Sequence, residues 1–166
     1  MSRYVLYLAV LLVLSACGSP TSPGSIQSNL DMATPDLKVN GATIQPGSTT
    51  NVGVGSRVDF QVNYTNHSGQ YLHTGLLLVR DDGVERLLRC GASGRGGQGG
   101  GFGVGTTISA QDRGHTLRVL LLGAYSPDSS SGPQAQCLFQ LSPGSFEGVN
   151  HANVQAERLL VTLAVQ

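Results

Sequence analysis

Polar and apolar residues alternate with a period of two along much of this chain. Residues 57–65 read RVDFQVNYT, with Val58, Phe60, Val62 and Tyr64 on one side and Arg57, Asp59, Gln61, Asn63 and Thr65 on the other. Successive side chains of a strand point to opposite faces, so this stretch predicts a strand with one face buried. At the end of the chain Leu159, Val161, Leu163 and Val165 alternate with Leu160, Thr162, Ala164 and Gln166, which predicts a closing strand of the same kind. Two other runs are apolar on both faces. Residues 71–80 contain LLLV and residues 115–125 contain LRVLLLGAY, the pattern of central strands covered on both sides.

Shorter runs fill the intervals. Residues 37–44 and 49–54 predict two strands separated by the turn residues Pro46 and Gly47. Asp81-Asp82-Gly83 between apolar runs predicts a hairpin returning through Val84 to Cys90. Residues 135–141, AQCLFQL, predict a strand with Cys137, Phe139 and Leu141 on its inner side. Residues 150–158, NHANVQAER, are the one helix candidate, with Asn150 as its cap and a single sizeable apolar residue to bury.

Residues 91–105 read GASGRGGQGGGFGVG, and nine of these fifteen are glycine. The composition predicts an exposed loop tied at its start by Cys90. Arg95, Gln98 and Phe102 are its candidate partner contacts, with Phe102 expected to dock back onto the domain. Gly94, Gly96 and Gly99 satisfy G-x-G-x-x-G, but that fingerprint requires a helix to follow, and Thr106-Thr107-Ile108 reads as extended. A nucleotide site is therefore not expected.

Seven to eight short strands, turn-rich connections and no βαβ spacing imply an all-β fold, an antiparallel β-sandwich over residues 37–166. The patterning resembles immunoglobulin-like and fibronectin-type-III-like domains. Two features depart from that class. Trp is absent, and Cys90 and Cys137 come late in the strand order.

The amino-terminal end has a different logic. Arg3 precedes an apolar run from Tyr4 to Leu14, eleven residues and roughly 17 Å long as a helix, short for a bilayer core of about 30 Å. A charged start, a short apolar middle and small residues after it describe a signal peptide. Leu14-Ser15-Ala16-Cys17 resembles the lipobox of bacterial lipoproteins. The resemblance implies a leader over residues 1–16, diacylglycerol on the Cys17 thiol, cleavage just before Cys17 and fatty acylation, palmitate included, of the new amino terminus. Each buried methylene contributes about 0.8 kcal/mol, and two or three chains hold a protein durably where one does not. Gly18 in place of aspartate implies the outer membrane. Residues 18–36 are rich in Ser, Pro, Gly and Thr without apolar periodicity, so residues 17–36 read as lipidated cysteine and flexible tether.

Charge and cysteine count narrow the function. Without Arg3, nine of the ten Lys and Arg remain against ten Asp and Glu, a formal charge of −1 for the mature chain. That balance argues against nucleic acid as a partner, since binding it needs a basic patch. In an exported chain, Cys90 and Cys137 predict one disulfide, since no C-x-x-C or H-x₃₋₅-H spacing suggests a metal. His67, His73, His115 and His151 show no spacing of a ligand or catalytic set. Ser145 lies in G-S-F-E-G, not a nucleophile elbow. Asp81, Asp82 and Glu85 cluster at a turn with Arg86 and Arg89 at hand to pair with them, so no metal is expected there. No cofactor is implied. The expected function is a lipid-anchored, non-enzymatic envelope protein acting as a binding or assembly module, with an envelope protein or a glycan as its partner. The alternative is a glycan-binding module, for which Tyr71, Tyr125 and Phe146 are the aromatic residues to spare.

Overall fold

The computed structural model describes residues 30–32, 36–93, 98–126, 137–142 and 144–166, the residues 30–32, 36, 92, 93, 98 and 99 by backbone alone. They form an all-β sandwich of two five-stranded sheets. The strands are β1 (Leu30–Met32), β2 (Asp36–Val39), β3 (Ala42–Ile44), β4 (Thr49–Val52), β5 (Arg57–Asn66), β6 (Tyr71–Arg80), β7 (Glu85–Ser93), β8 (Gln98–Thr107), β9 (Thr116–Ser126) and β10 (Ala156–Val165). In the first sheet β5 pairs with β8 along one edge and with β1 and β2 along the other, and β3 pairs with β2. The second sheet has the order β4-β10-β9-β6-β7, antiparallel except for the parallel pair β4–β10. With β10, β9, β6 and β7 as strands G, F, C and C′ and β2, β5 and β8 as A, B and E, this is the immunoglobulin-like arrangement.

The alternation in β5 is realised in full: Val58, Phe60, Val62 and Tyr64 are buried, and Arg57, Gln61 and Asn63 are exposed. The inner core also takes Leu76 and Leu78 from β6, Leu117, Val119 and Leu121 from β9, and Leu160, Val161, Leu163 and Val165 from β10. In β10 the register against β9 shifts between Leu159 and Val161. This bulge turns both Leu160 and Val161 inward and leaves Leu159 42% exposed, so the regular alternation predicted there fails at its first position.

The two-sided strands β6 and β9 have a second core on their outer face. Leu77, Val79, Leu120, Leu122 and Ala124 pack there with Leu87 and are covered by Phe139 and Val149. The covering segment is not the strand predicted over 135–141. Its described part, residues 137–142, is turns, and Leu141 is 63% exposed while Phe139 is buried. A strand there would have put Leu141 beside Phe139, but the disulfide Cys90–Cys137 lays the segment over the sheet from its edge.

Four further readings are corrected. The predicted helix over 150–158 is one 3₁₀ turn, His151–Asn153, followed by β10, because pairing with β9 offers a ladder that one apolar valine cannot match. Residues 37–44 are a hairpin, β2–β3, turning at Asn40 (φ 48°) and Gly41 (φ 83°). Asn-Gly is the favoured pair for a turn that needs left-handed backbone at both positions. Most consequential, residues 98–107 of the glycine segment are strand β8 and not a loop. They pair with β5 residue for residue, from Arg57–Thr107 to Asn66–Gln98, without a bulge. Leu30–Met32, within the stretch read as tether, is strand β1 against β5. The Asp81–Asp82–Gly83 hairpin forms as expected, with Gly83 at φ 88°.

Candidate binding groove on the β5–β8 face

Pairing β8 against β5 sorts the glycines. Gly100, Phe102, Val104 and Thr106 lie opposite Tyr64, Val62, Phe60 and Val58, on the inward side. Phe102 and Val104 are half-buried against the inner core, so Phe102 docks on the domain as expected. The hydroxyl end of the Tyr64 ring lies against Gly100, where a side-chain carbon would lie 2.7 Å from the tyrosine hydroxyl. Outward, Gly99, Gly101, Gly103 and Gly105 lie opposite Thr65, Asn63, Gln61 and Asp59. A polar ladder on β5 therefore borders a lane on β8 that carries no side chains. At about 3.3 Å per residue the lane is roughly 20 Å long.

Two β5 groups lean across this lane. The Asn63 side chain fills the space that a side-chain carbon would need at Gly101. The ion pair of Arg57 Nε and Asp59 Oδ1, 2.9 Å apart, does the same at Gly105. At Gly103 such a carbon would meet only the Phe60 carbonyl oxygen, at 3.6 Å. The lane is thus open at Gly103, between an amide on one side and an exposed guanidinium–carboxylate pair on the other. A cavity of about 440 Å³ lies there, lined by Lys38, Arg57, Asp59, Gln61, Gly103 and Gly105, with Phe60 and Val104 at its base.

The free edge of β8 adjoins the groove. Edge strands expose unpaired amides and are ordinarily short, charged, bulged or covered. Strands β3 and β4 have three and four residues. The outer edge of β7 is covered at its start, since Phe146 O accepts from Leu87 N at 2.8 Å and Gly148 N donates to Glu85 O at 3.1 Å, and the strand carries Arg86, Arg89 and a register shift between them. Strand β8 is ten residues long, has no bulge and contains neither a charged residue nor a proline. Among the described residues it is the one long unguarded edge.

The remaining candidates are placed as follows. Cys17 and Arg95 lie outside the described residues, and Gln98 pairs by backbone with Asn66 at the start of β8. Cys90 and Cys137 are joined, with Cα atoms 5.6 Å apart. His115 Nδ1 lies 2.6 Å from Asp81 Oδ1, and Asp81 Oδ2 accepts from Thr116 N. Asp82 takes two hydrogen bonds from the Arg80 guanidinium, which hold its pKa down to about 2. Asp81, Asp82 and His115 converge within 4.8 Å, but each group already has a protein partner, and the cluster carries no metal assignment. Glu85 pairs with His151 at 2.8 Å, not with Arg86 or Arg89. Arg86 lies 3.7 Å from Asp112, a buried carboxylate that also accepts from Ser109 N and Oγ and that sequence pattern did not single out.

The aromatic residues considered for a glycan platform are not brought together. Tyr71 shares the outer face of β6 with His73, whereas Tyr125 lies opposite Leu72 and faces inward. Phe146 reaches β7 at Leu87, six positions from the Tyr71 end of the β6–β7 pair and about 20 Å away along the strand.

The groove was missed because the glycine content outweighed its order. Every odd position from 99 to 105 is glycine, while the even positions run Gly100, Phe102, Val104, Thr106. That is a period of two with one face stripped of side chains.

No protein-family model matches the chain, and no curated protein matches it. Among solved structures, a Pseudomonas fluorescens alkylpurine DNA glycosylase bound to DNA containing an abasic site analog superposes on 81% of this chain with a TM-score of 0.37 and 9% identity. The chain spans about a third of that protein, 31% of its length. A similarity of this size assigns neither a family nor an activity.

Proposed function

We propose that this chain is a non-enzymatic lipoprotein of the bacterial envelope, anchored through Cys17 on the outer membrane, which binds a partner protein through the β5–β8 groove. The observation that carries the binding role is the β8 edge, unguarded among the described residues, beside a cavity open at Gly103. Selection against aggregation ordinarily removes such an edge, and its retention here fits a surface kept open for a partner. The Leu14-Ser15-Ala16-Cys17 sequence supports the anchor. The two histidine–carboxylate pairs, His115–Asp81 and His151–Glu85, lie at turns and strand ends, each with at least one partner open to water that screens it. Such placement suits structural pairs better than an acid–base centre.

A photo-crosslinking amino acid at Gln61, on the groove wall, tests the binding role in living cells. The expected result is a discrete crosslinked product that disappears when Gly103→Thr fills the groove. Equal crosslinking in both chains, or none in either, overturns the groove as the binding surface. Labelling with a fatty-acid analogue, present in the native chain and absent in Cys17→Ser, tests the anchor separately.

A further inference from the structure

We infer that β8 receives an extended segment of a partner protein as an added strand, with one aromatic side chain of that segment lying flat over Gly103. The inference rests on the groove being the binding surface and specifies what occupies it.

Backbone pairing is the first requirement. Among the described residues no strand pairs with the outer edge of β8, so alternate residues of its ten present their amides and carbonyls there, in a ladder that β5 already holds in register. An extended peptide satisfies those groups by adding the next strand, about 4.8 Å away. A helix or a folded surface would leave them unpaired.

The side chain follows from the groove. On an added strand, every second residue projects to the same outer face as Gly101, Gly103 and Gly105. At Gly101 and Gly105 the space is taken by Asn63 and by the Arg57–Asp59 pair, so small residues fit opposite them. At Gly103 a large flat side chain can lean from the added strand across the bare backbone toward Gln61. Aromatic rings pack over edge glycines in this way. Its two flanks are the Asn63 amide and the Arg57 side chain, which is 67% exposed and able to stack on the ring face.

The same geometry disfavours a second copy of this chain as the occupant. Pairing β8 with β8 would place a glycine-faced strand against a glycine-faced strand and leave the cavity at Gly103 empty. The partner is therefore a different protein with an extended, weakly charged segment carrying an aromatic residue between small outward residues.

The test uses the full-length lipidated chain in nanodiscs. The probe is a synthetic peptide the length of β8 that alternates valine and threonine, with one central tryptophan on the threonine face. The chain has no tryptophan, so emission reports the peptide alone. Binding is expected with a blue shift of the emission. Replacing the tryptophan by alanine, methylating the edge-facing peptide amides, or introducing Gly103→Thr should each weaken it at least tenfold. Hydrogen exchange should slow at β8 backbone amides and nowhere on β7. If the methylated peptide binds as well as the parent, or β8 exchange is unchanged, strand addition is wrong even where the in-cell crosslink at Gln61 stands. If neither peptide binds while that crosslink persists, the groove binds something other than an extended aromatic segment. Self-association through β8 that Gly103→Thr leaves intact would also overturn the inference.

Discussion

The ring of Phe139 rests on Gly75: a side-chain carbon at residue 75 would lie 2.8 Å from Phe139 Cδ2 and 3.3 Å from Cε2. Phe139 has no exposed surface, although it comes from a segment of turns outside both sheets. It closes the outer core over Leu77, Leu87, Leu120 and Leu122. Phe139→Ala should therefore cost about 3–5 kcal/mol, as for other buried phenylalanines. Gly75→Ala should also destabilise, since the ring must move off the sheet to admit a methyl group. Urea denaturation of both variants and of the double variant checks this. The double variant should cost less than the sum of the two, because each change removes the other's partner.

Cys90–Cys137 ties that segment to β7 across a sequence separation of 47. Reduction, or Cys90→Ser with Cys137→Ser, should lower stability by up to about 4 kcal/mol on the chain-entropy argument. The loss should be local as well as global. Backbone amides of residues 137–155 should exchange faster while those of β5 keep their protection, as hydrogen exchange with mass spectrometry can show.

The outward glycines of β8 should respond differently to the same substitution. Gly103→Thr meets open space and replaces a residue with low strand propensity, so it should raise stability by up to about 1 kcal/mol. Gly105→Thr must displace the Arg57–Asp59 pair, and Gly101→Thr the Asn63 side chain, so both should fall below it. Thermal melts of the three variants rank them. A stabilised chain that has lost its partner would be the mark of a binding groove, since damage to the fold lowers both quantities together.

His73 is 1% exposed on the outer face of β6, and its Nε2 has no hydrogen-bond partner among the described residues. Burial lowers its pKa below the ordinary histidine value. The unfolded chain then binds the proton more readily than the folded one. The stability this contributes is complete above about pH 6.5 and is lost as pH falls through the lowered folded-state value. The urea midpoint should drop between pH 7.5 and pH 5, and His73→Phe should flatten that drop. A drop of the same size in the variant would assign it to another group.

Where one face is buried and the other wet, the fold could be read directly. Val58, Phe60, Val62 and Tyr64 alternate without interruption, and all four are in the core. The two-sided runs of β6 and β9 were legible as central strands, but what covers their outer face was not. Phe139 and Val149 reach it through turns whose path depends on the disulfide. Leu159 shows the limit of periodicity, since one bulge moves the inward set by one residue. The hairpin at Asn40-Gly41 carried a clear signal that the apolar run around it obscured.

The amino-acid sequence by itself determined the sandwich and the cysteine pair, and it carried the expectation of a lipid anchor at Cys17. These follow from composition and from patterns local to a few residues. Only the tertiary structure decided that residues 98–107 are a strand and that their outer side is a groove. Glycine contributes almost no strand preference of its own, so β8 exists because β5 offers it ten paired positions and the core takes Phe102 and Val104. The opening at Gly103 arises from what is missing there and from what Asn63 and Arg57 do on the neighbouring strand, forty and forty-six residues earlier in the chain. No local pattern encodes such a relationship, since it forms only when β8 is set against β5.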